Sequence, residues 1–152
     1  MTTSRKTAPT ELLMNEVLLL IEEGKRVVVR VKGNSMLPFL KGNRDGVELE
    51  KSKDLKCGDI VLACIDGDRF VLHRIIKIDG EHIVLMGDGN LKGCEHCRIS
   101  EIKAKAVNLI KPAKGGYKKI SCTDRTHMRK AYLWKKLLPV RRYILAIYKR
   151  IS

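Results

Sequence analysis

Residues 31–40 read VKGNSMLPFL and form the stretch from which the rest of the chain can be interpreted. Gly33 can adopt backbone angles closed to other residues, and Pro38 fixes its own φ and favours an extended residue before it. The run 26–32, rich in β-branched residues, is therefore predicted to be a strand that breaks into a tight loop presenting Ser35. A hydroxyl on such a loop is a candidate nucleophile if the fold brings a base close to it. Otherwise the segment is an ordinary polar loop.

Two later segments supply a candidate base and a candidate acid. Residues 70–76 read FVLHRII and place His73 inside a strand-like run. Residues 84–90 read VLMGDGN and place Asp88 in a glycine-rich turn at the end of a strand. A lone histidine or aspartate is usually structural, but the ordered set of Ser35, His73 and Asp88, each beside a strand end, indicates an active site.

The chain resembles the serine peptidases that include type I signal peptidases and LexA-like self-cleaving repressors. The motifs that carry the resemblance are, in order, GNSMLP at 33–38, CGDIV at 57–61, HRII at 73–76 and GDGN at 87–90. The resemblance covers about residues 28–109. It implies a mainly β fold, with a coiled, partly closed antiparallel β body of the LexA and signal-peptidase type. Since a histidine stands where bacterial signal peptidases have a lysine, the chain is most similar to the Ser-His branch of archaeal and endoplasmic-reticulum signal peptidases.

The acid of this site has two candidates. In the Ser-His branch a second acid follows the first and is thought to complete the triad. Here that region reads CEHC at 94–97, so Glu95 is its only acid. Either acid could therefore orient His73: Asp88 is the preferred candidate, and Glu95 is the alternative.

The chemistry assigns further roles around the nucleophile. Ser35 must lose a proton as it attacks a peptide carbonyl, and an imidazole can accept that proton because its ordinary pKa of ~6.5 lies near working pH. The oxyanion that forms needs hydrogen-bond donors. The Ser35 backbone N–H is the first candidate and Asn34 the second, while Met36 is expected to help line the substrate channel.

The pattern outside the motifs predicts one β domain between helical ends. The predicted parts are an N-terminal helix in 1–25, a peptidase-like β domain in 26–110, a linker in 111–119 and a basic amphipathic helical tail in 120–152. The predicted strands are 26–32, 47–50, 60–65, 70–78, 81–86 and 102–110. The first helix is expected to dock through an apolar face made of Leu12, Leu13, Val17, Leu20 and Ile21. Pro139 is expected to kink or split the tail helix.

Positive charge is concentrated in the tail. The formal net charge is +14, and the residues from Lys111 onward hold thirteen Lys and Arg against one acid, Asp124. A basic amphipathic helix with aromatic residues can lie on an anionic membrane or bind an acidic protein. The alternative is a helix that packs its apolar stripe on the body, and nucleic acid is the least favoured partner.

The cysteines and the hydropathy of the chain indicate the cellular compartment of the protein. Five loosely spaced cysteines do not form a disulfide framework and favour a reducing, cytoplasmic setting. The CEHC segment lacks a second ligand pair, so no metal or other cofactor is expected. No apolar run approaches the ~20 residues needed to cross a bilayer, and no secretory signal is expected at the N-terminus.

These observations predict a signal-peptidase-like serine endopeptidase that cleaves a precursor or leader peptide, with a peptide or protein as substrate. The alternative is a non-catalytic or self-cleaving regulatory module on the same scaffold, docked to an anionic membrane or a protein partner through residues 120–152. The self-cleaving variant ranks lower because the chain has no Ala-Gly dipeptide of the LexA kind and no predicted DNA-reading domain.

Overall fold

The computed structural model describes residues 10–151, with side chains described from Leu13 onward. The predictions made for the N-terminal residues 1–9, and for Leu12 in the apolar face of the first helix, lie outside the described residues. All statements below about what the fold contains refer to this part of the chain.

An antiparallel sheet of eight strands, not closed, forms the body of the protein. The strands are β1 (Val27–Arg30), β2 (Gly46–Glu50), β3 (Ile60–Ile65), β4 (Arg69–Asp79), β5 (His82–Met86), β6 (Glu95–Arg98), β7 (Ile102–Ala113) and β8 (Gly116–Ser121). Their order is β1-β2-β7-β3-β4-β5-β6, and β8 pairs with β7. The helices are α1 (Thr10–Glu22), α2 (Arg125–Lys136) and α3 (Arg141–Ile151). The predicted mainly β fold with helices at both ends is confirmed.

The central strand β3 is apolar throughout because it is buried on both faces of the sheet. Successive side chains of a strand point to opposite faces. Ile60 and Leu62 pack in the main core, which also contains Val17 and Ile21 of α1. Val61, on the other face, packs in a second core with side chains of β4, β5 and β6. The side chains of β4 therefore have different surroundings on the two faces of the sheet.

The first helix docks on the body through a face rotated from the predicted one. Val17 and Ile21 are buried as expected, but Leu13 and Leu20 are exposed. Met14 and Leu18 instead pack against the main core. The helix spacing is compatible with either face, and only the position of the sheet decides between them.

The prediction of a linker over residues 111–119 is wrong. β7 continues to Ala113 and β8 begins at Gly116, so this segment forms a β-hairpin. Gly115 and Gly116 have φ of 84° and 151°, which allow the chain to reverse there.

β6 was also missed, because its short polar sequence lacks the alternation of a half-buried strand and it is held by pairing with β5. The helical tail starts after β8 and is split at a 3₁₀ turn, Leu138–Val140, that contains Pro139, as predicted.

Asp45 fixes both ends of the loop that follows β1. Its backbone carbonyl accepts the Val31 N–H at 2.9 Å, and its carboxylate accepts the Lys41 N–H at 2.8 Å. The carboxylate also accepts from Arg44 Nε at 2.8 Å and from Lys111 Nζ at 3.2 Å. Burial alone would raise the pKa of this carboxyl, but the hydrogen bonds and the two cations lower the pKa below its ordinary value. The loop that carries Ser35 is therefore closed by one buried carboxylate.

Asp45→Asn should lower the free energy of unfolding by about 2–4 kcal/mol, because it leaves the cations of Arg44 and Lys111 without their counter-charge. Urea unfolding followed by circular dichroism measures this change. The control is Glu50→Gln, which removes an exposed ion pair with Arg26 and should cost less than about 1 kcal/mol. Equal stability of the two variants would show that Asp45 does not hold the loop.

Candidate active site

Ser35 lies half-buried on the loop between β1 and β2. The loop is a succession of tight turns, in which the Leu37 N–H donates to the Asn34 carbonyl at 3.2 Å and the Phe39 N–H donates to the Met36 carbonyl at 3.1 Å. Gly33 has a φ of 73°, the conformation that its position before the serine predicted. The sequence features that predicted a tight loop thus produce one.

A glycine-rich turn packs directly on the backbone of this loop. The Gly89 N–H donates to the Ser35 carbonyl at 2.8 Å. A β-carbon on Gly87 would overlap the same carbonyl oxygen, and one on Gly89 would press against the Asn34 carbonyl oxygen. Both positions require glycine because two stretches of backbone meet there without side chains between them.

His73 lies in β4 and is buried, with 6% of its surface exposed. Burial lowers the pKa of its imidazole below the ordinary value, while the charges of Glu95 and Asp88 act to raise it and the charge of Arg69 acts to lower it. The Nδ1 atom of His73 is buried and has no hydrogen-bond partner among the described residues. A neutral imidazole is therefore favoured near neutral pH.

The Ser35 backbone lies beside the end of β5, the strand that pairs with the strand of His73. Arg74 of β4 lies directly opposite Met86, the last residue of β5. Gly87 follows Met86, and a β-carbon on Gly87 would overlap the Ser35 carbonyl oxygen. The backbone of Ser35 is therefore in contact with the residue after β5, one strand away from β4.

The two candidate acids are each paired with an arginine. Both carboxylate oxygens of Asp88 accept from Arg74, at 2.9 and 2.8 Å, in a buried ion pair. The oxygens of Glu95 accept from Arg69 at 3.1 and 2.9 Å, and this pairing lowers the pKa of Glu95. The guanidinium group offers two parallel donors that match a carboxylate, so each acid faces its arginine. Their predicted role as hydrogen-bond partner of His73 stays a prediction, and here both act on His73 through their charge.

Sequence reasoning missed the part that the C-terminal helices play at this site. Trp134 Nε1 of α2 donates to the Asp88 carbonyl at 2.6 Å, and Arg141 Nη1 of α3 donates to the Asn90 carbonyl at 2.9 Å. Leu37 of the serine loop packs in a third apolar cluster with Trp134 and Leu145. The only tryptophan of the chain was the available signal, since buried indoles usually bind a partner through N–H. The helix pair therefore holds both loops of the candidate site.

The two residues that flank Ser35 differ in burial. Asn34 is exposed, so its side chain is accessible to a ligand. Met36 is 1% exposed and packs in the main core, where it supports the loop from below. The expectation that Met36 lines the substrate channel is corrected, because its side chain fills the core.

The chain matches the Peptidase S24-like family over residues 4–107, which is more than half of its length. The chain belongs to the Peptidase S24-like family. Membership supports the LexA and signal-peptidase-like superfamily and, with it, a serine peptidase or a self-cleaving scaffold. Ser35, His73, Asp88 and Glu95 all lie in the matched range, whereas α2 and α3 follow it. No curated protein sequence matches the chain.

The two cysteines of the segment 94–97 of this S24-like chain have different surroundings. Cys97 is buried in the second core, whereas Cys94 is exposed. His96 Nδ1 lies 2.9 Å from His82 Nε2 on the neighbouring strand. In residues 10–151 no group of three or more His, Cys, Asp or Glu side chains could hold a metal ion.

Gly87→Ala should displace the Ser35 loop, because the new methyl group would overlap the Ser35 carbonyl oxygen. The expected cost is about 1–3 kcal/mol of unfolding free energy, together with a changed amide chemical shift of Ser35 in NMR spectra. Lys92→Ala, at an exposed position in the same connection between β5 and β6, is the control and should change stability by less than about 0.5 kcal/mol. An unchanged Ser35 amide shift in Gly87→Ala would contradict the described contact.

Proposed function

We propose that the protein is a serine endopeptidase of the signal-peptidase type, in which Ser35 is the nucleophile and His73 the general base. The observation that supports the proposal is the packing of the Ser35 carbonyl on Gly87, directly after β5, the strand that pairs with the strand of His73. The family match supports the reaction class. The position of His73 inside an apolar strand supports its role as a base, because burial keeps the imidazole neutral.

The proposed reaction begins when His73 takes the proton of the Ser35 hydroxyl while Ser35 Oγ attacks the carbonyl carbon of the substrate. The imidazolium then gives this proton to the leaving amine. A water molecule, activated by His73 in the same way, attacks the acyl-serine, and the proton returns to Ser35 Oγ as the acid product leaves. The backbone N–H of Ser35, with the exposed Asn34 beside it, is the proposed donor to the oxyanion. The negative charges of Glu95 and Asp88 favour the imidazolium that forms in the transition state.

The proposed substrate is a precursor or leader peptide bound as an extended segment. This part of the proposal rests on the resemblance of the motifs around Ser35 and His73 to those of the Ser-His signal peptidases. Its test is cleavage of a synthetic leader-type peptide library by the purified chain, with products identified by mass spectrometry.

A fluorophosphonate probe, which reacts with activated serines, should label the purified protein at one site. Labelling should disappear in Ser35→Ala and persist in Ser100→Ala, a change at an exposed residue between β6 and β7. Tryptic mass spectrometry locates the adduct. Adduct formation that survives Ser35→Ala would rule out Ser35 as the nucleophile.

A non-catalytic module on the same scaffold is the second candidate, favoured by one observation. Both acids near His73 are engaged by arginines, and Nδ1 of the imidazole has no partner. A folded wild-type chain that neither reacts with the probe nor shortens itself on incubation would support this candidate. Self-shortening that requires Ser35 would instead indicate the self-cleaving variant.

The rate of probe labelling should fall at acidic pH with a midpoint below 6.5, the ordinary pKa of imidazole. The sign follows from the need for neutral His73: burial lowers its pKa, so the neutral form persists to a lower pH before it is protonated. Glu95→Gln removes a charge that raises this pKa and should move the midpoint lower still. Glu81→Gln, an exposed acid in the β4–β5 turn, is the control and should leave the midpoint unchanged. A higher midpoint in Glu95→Gln would contradict the electrostatic role of that residue.

A further inference from the structure

The C-terminal helix pair is uniformly basic. Residues 125–151 contain nine Lys and Arg and no Asp or Glu. All of these cations except Arg141, which is buried against Trp134, are exposed. The surface of α2 and α3 that faces away from the body is therefore a continuous source of positive potential.

The same surface exposes large apolar side chains. More than half of the exposed large apolar residues among the described ones lie in residues 125–151, which comprise the two helices and the turn that joins them. On α3 they follow one another at intervals of four residues, so they form a stripe along the helix: Tyr143, Ile147 and Ile151, exposed by 64%, 62% and 80%. On α2, Met128 and Tyr132 are spaced in the same way, and Leu133 is followed at the same interval by Leu137, just after the end of the helix.

These apolar residues are not the ones that attach the helices to the body. The inner face of the pair contains Trp134, Arg141, Ile144, Leu145 and Tyr148, of which Trp134 and Arg141 bind backbone carbonyls of the turn after β5. The alternative interpretation of the sequence, a tail that packs its apolar side on the body, would bury Leu133, Ile147 and Ile151, but these side chains are exposed. A monomeric protein rarely exposes such a patch without a binding partner for it.

We propose that the outer surface of α2 and α3 docks on an anionic lipid bilayer, with the helices lying in the plane of the headgroups. The charge pattern is complementary to acidic headgroups, and the apolar stripe of α3 is matched by the acyl boundary beneath them. Tyr132 and Tyr143 have the apolar ring and polar tip that suit this interface. No helix among the described residues is long and apolar enough to cross a membrane.

A bilayer fits this surface better than RNA or an acidic polypeptide. Phosphate or carboxylate groups would neutralise the cations, but they would leave Leu133, Ile147 and Ile151 exposed to water or would bring charges next to them. A bilayer interface supplies anions and an apolar layer at depths that match the two kinds of side chain. The proposal depends on the helix surface alone and does not rest on the proposed peptidase activity.

The test is co-sedimentation of the full chain with vesicles of phosphatidylcholine alone and with vesicles containing about one third phosphatidylglycerol. The expected result is binding to the acidic vesicles that weakens with salt, and at least about tenfold weaker binding to the neutral ones. Two variants divide the surface into its apolar and charged parts. The apolar variant is Tyr143→Ser with Ile147→Gln and Ile151→Gln. The charge variant is Arg142→Gln with Lys149→Gln and Arg150→Gln.

Each variant should bind acidic vesicles at least about tenfold more weakly than the wild type. Matched controls carry the same kinds of change at exposed positions outside the helix pair and should bind as the wild type does. The charge control is Lys53→Gln with Lys77→Gln and Lys92→Gln. The apolar control is Leu19→Gln with Ile99→Gln and Tyr117→Ser. Circular dichroism checks that the two variants and the two controls are folded.

Several results would overturn the proposal. Equal binding to neutral and acidic vesicles would contradict the proposed attraction between the basic side chains and acidic headgroups. Unchanged binding of the apolar variant would place the docking surface elsewhere. Binding to single-stranded RNA or polyglutamate in the absence of any vesicle binding would assign the surface to a macromolecular partner instead.

Discussion

The contact between two stretches of backbone, the Ser35 loop and the turn after β5, is the constraint on which the candidate site depends. It is possible only because Gly87 and Gly89 have no side chains, and it is fixed by the Gly89 N–H bond to the Ser35 carbonyl. The turn also ends the strand beside His73. Ser35 is thereby held beside the strand that pairs with the strand of His73, although the two residues are 38 positions apart in the chain.

The opposite face of the same strands keeps this arrangement in place. Arg74 points away from His73 because it is the next residue of the strand, and it binds Asp88 in a buried ion pair. The indole of Trp134 holds the carbonyl of that same aspartate. Asp88 therefore connects the sheet, the turn and the C-terminal helices, which gives it a structural role whether or not it also influences catalysis. Removal of its charge alone would leave a buried guanidinium unpaired.

The turn glycines and β-branched runs allowed the mainly β fold to be predicted, because they act locally. The catalytic roles of Ser35, His73 and Asp88 stay predictions. The sequence could not predict the partners of the two acids, because arginine pairing depends on which strands become neighbours. The β7–β8 hairpin was mistaken for a linker because Pro112, Gly115 and Gly116 are typical of one and its polar residues lack the alternation of a half-buried strand. The docking of α2 and α3 on the site was missed because it depends on long-range contacts: Trp134 meets Asp88 only in the folded chain.

The proximity of Ser35 and His73 is the central claim, and an NMR titration of the His73 imidazole tests it without a substrate. Ser35→Asp places a carboxylate at the nucleophile position, and Ser35→Asn is its uncharged counterpart of similar size. We expect the pKa of His73 to be higher by about one pH unit in Ser35→Asp than in Ser35→Asn, because a nearby carboxylate favours the imidazolium. Identical titration of His73 in the two variants would show that the hydroxyl and the imidazole do not share a site.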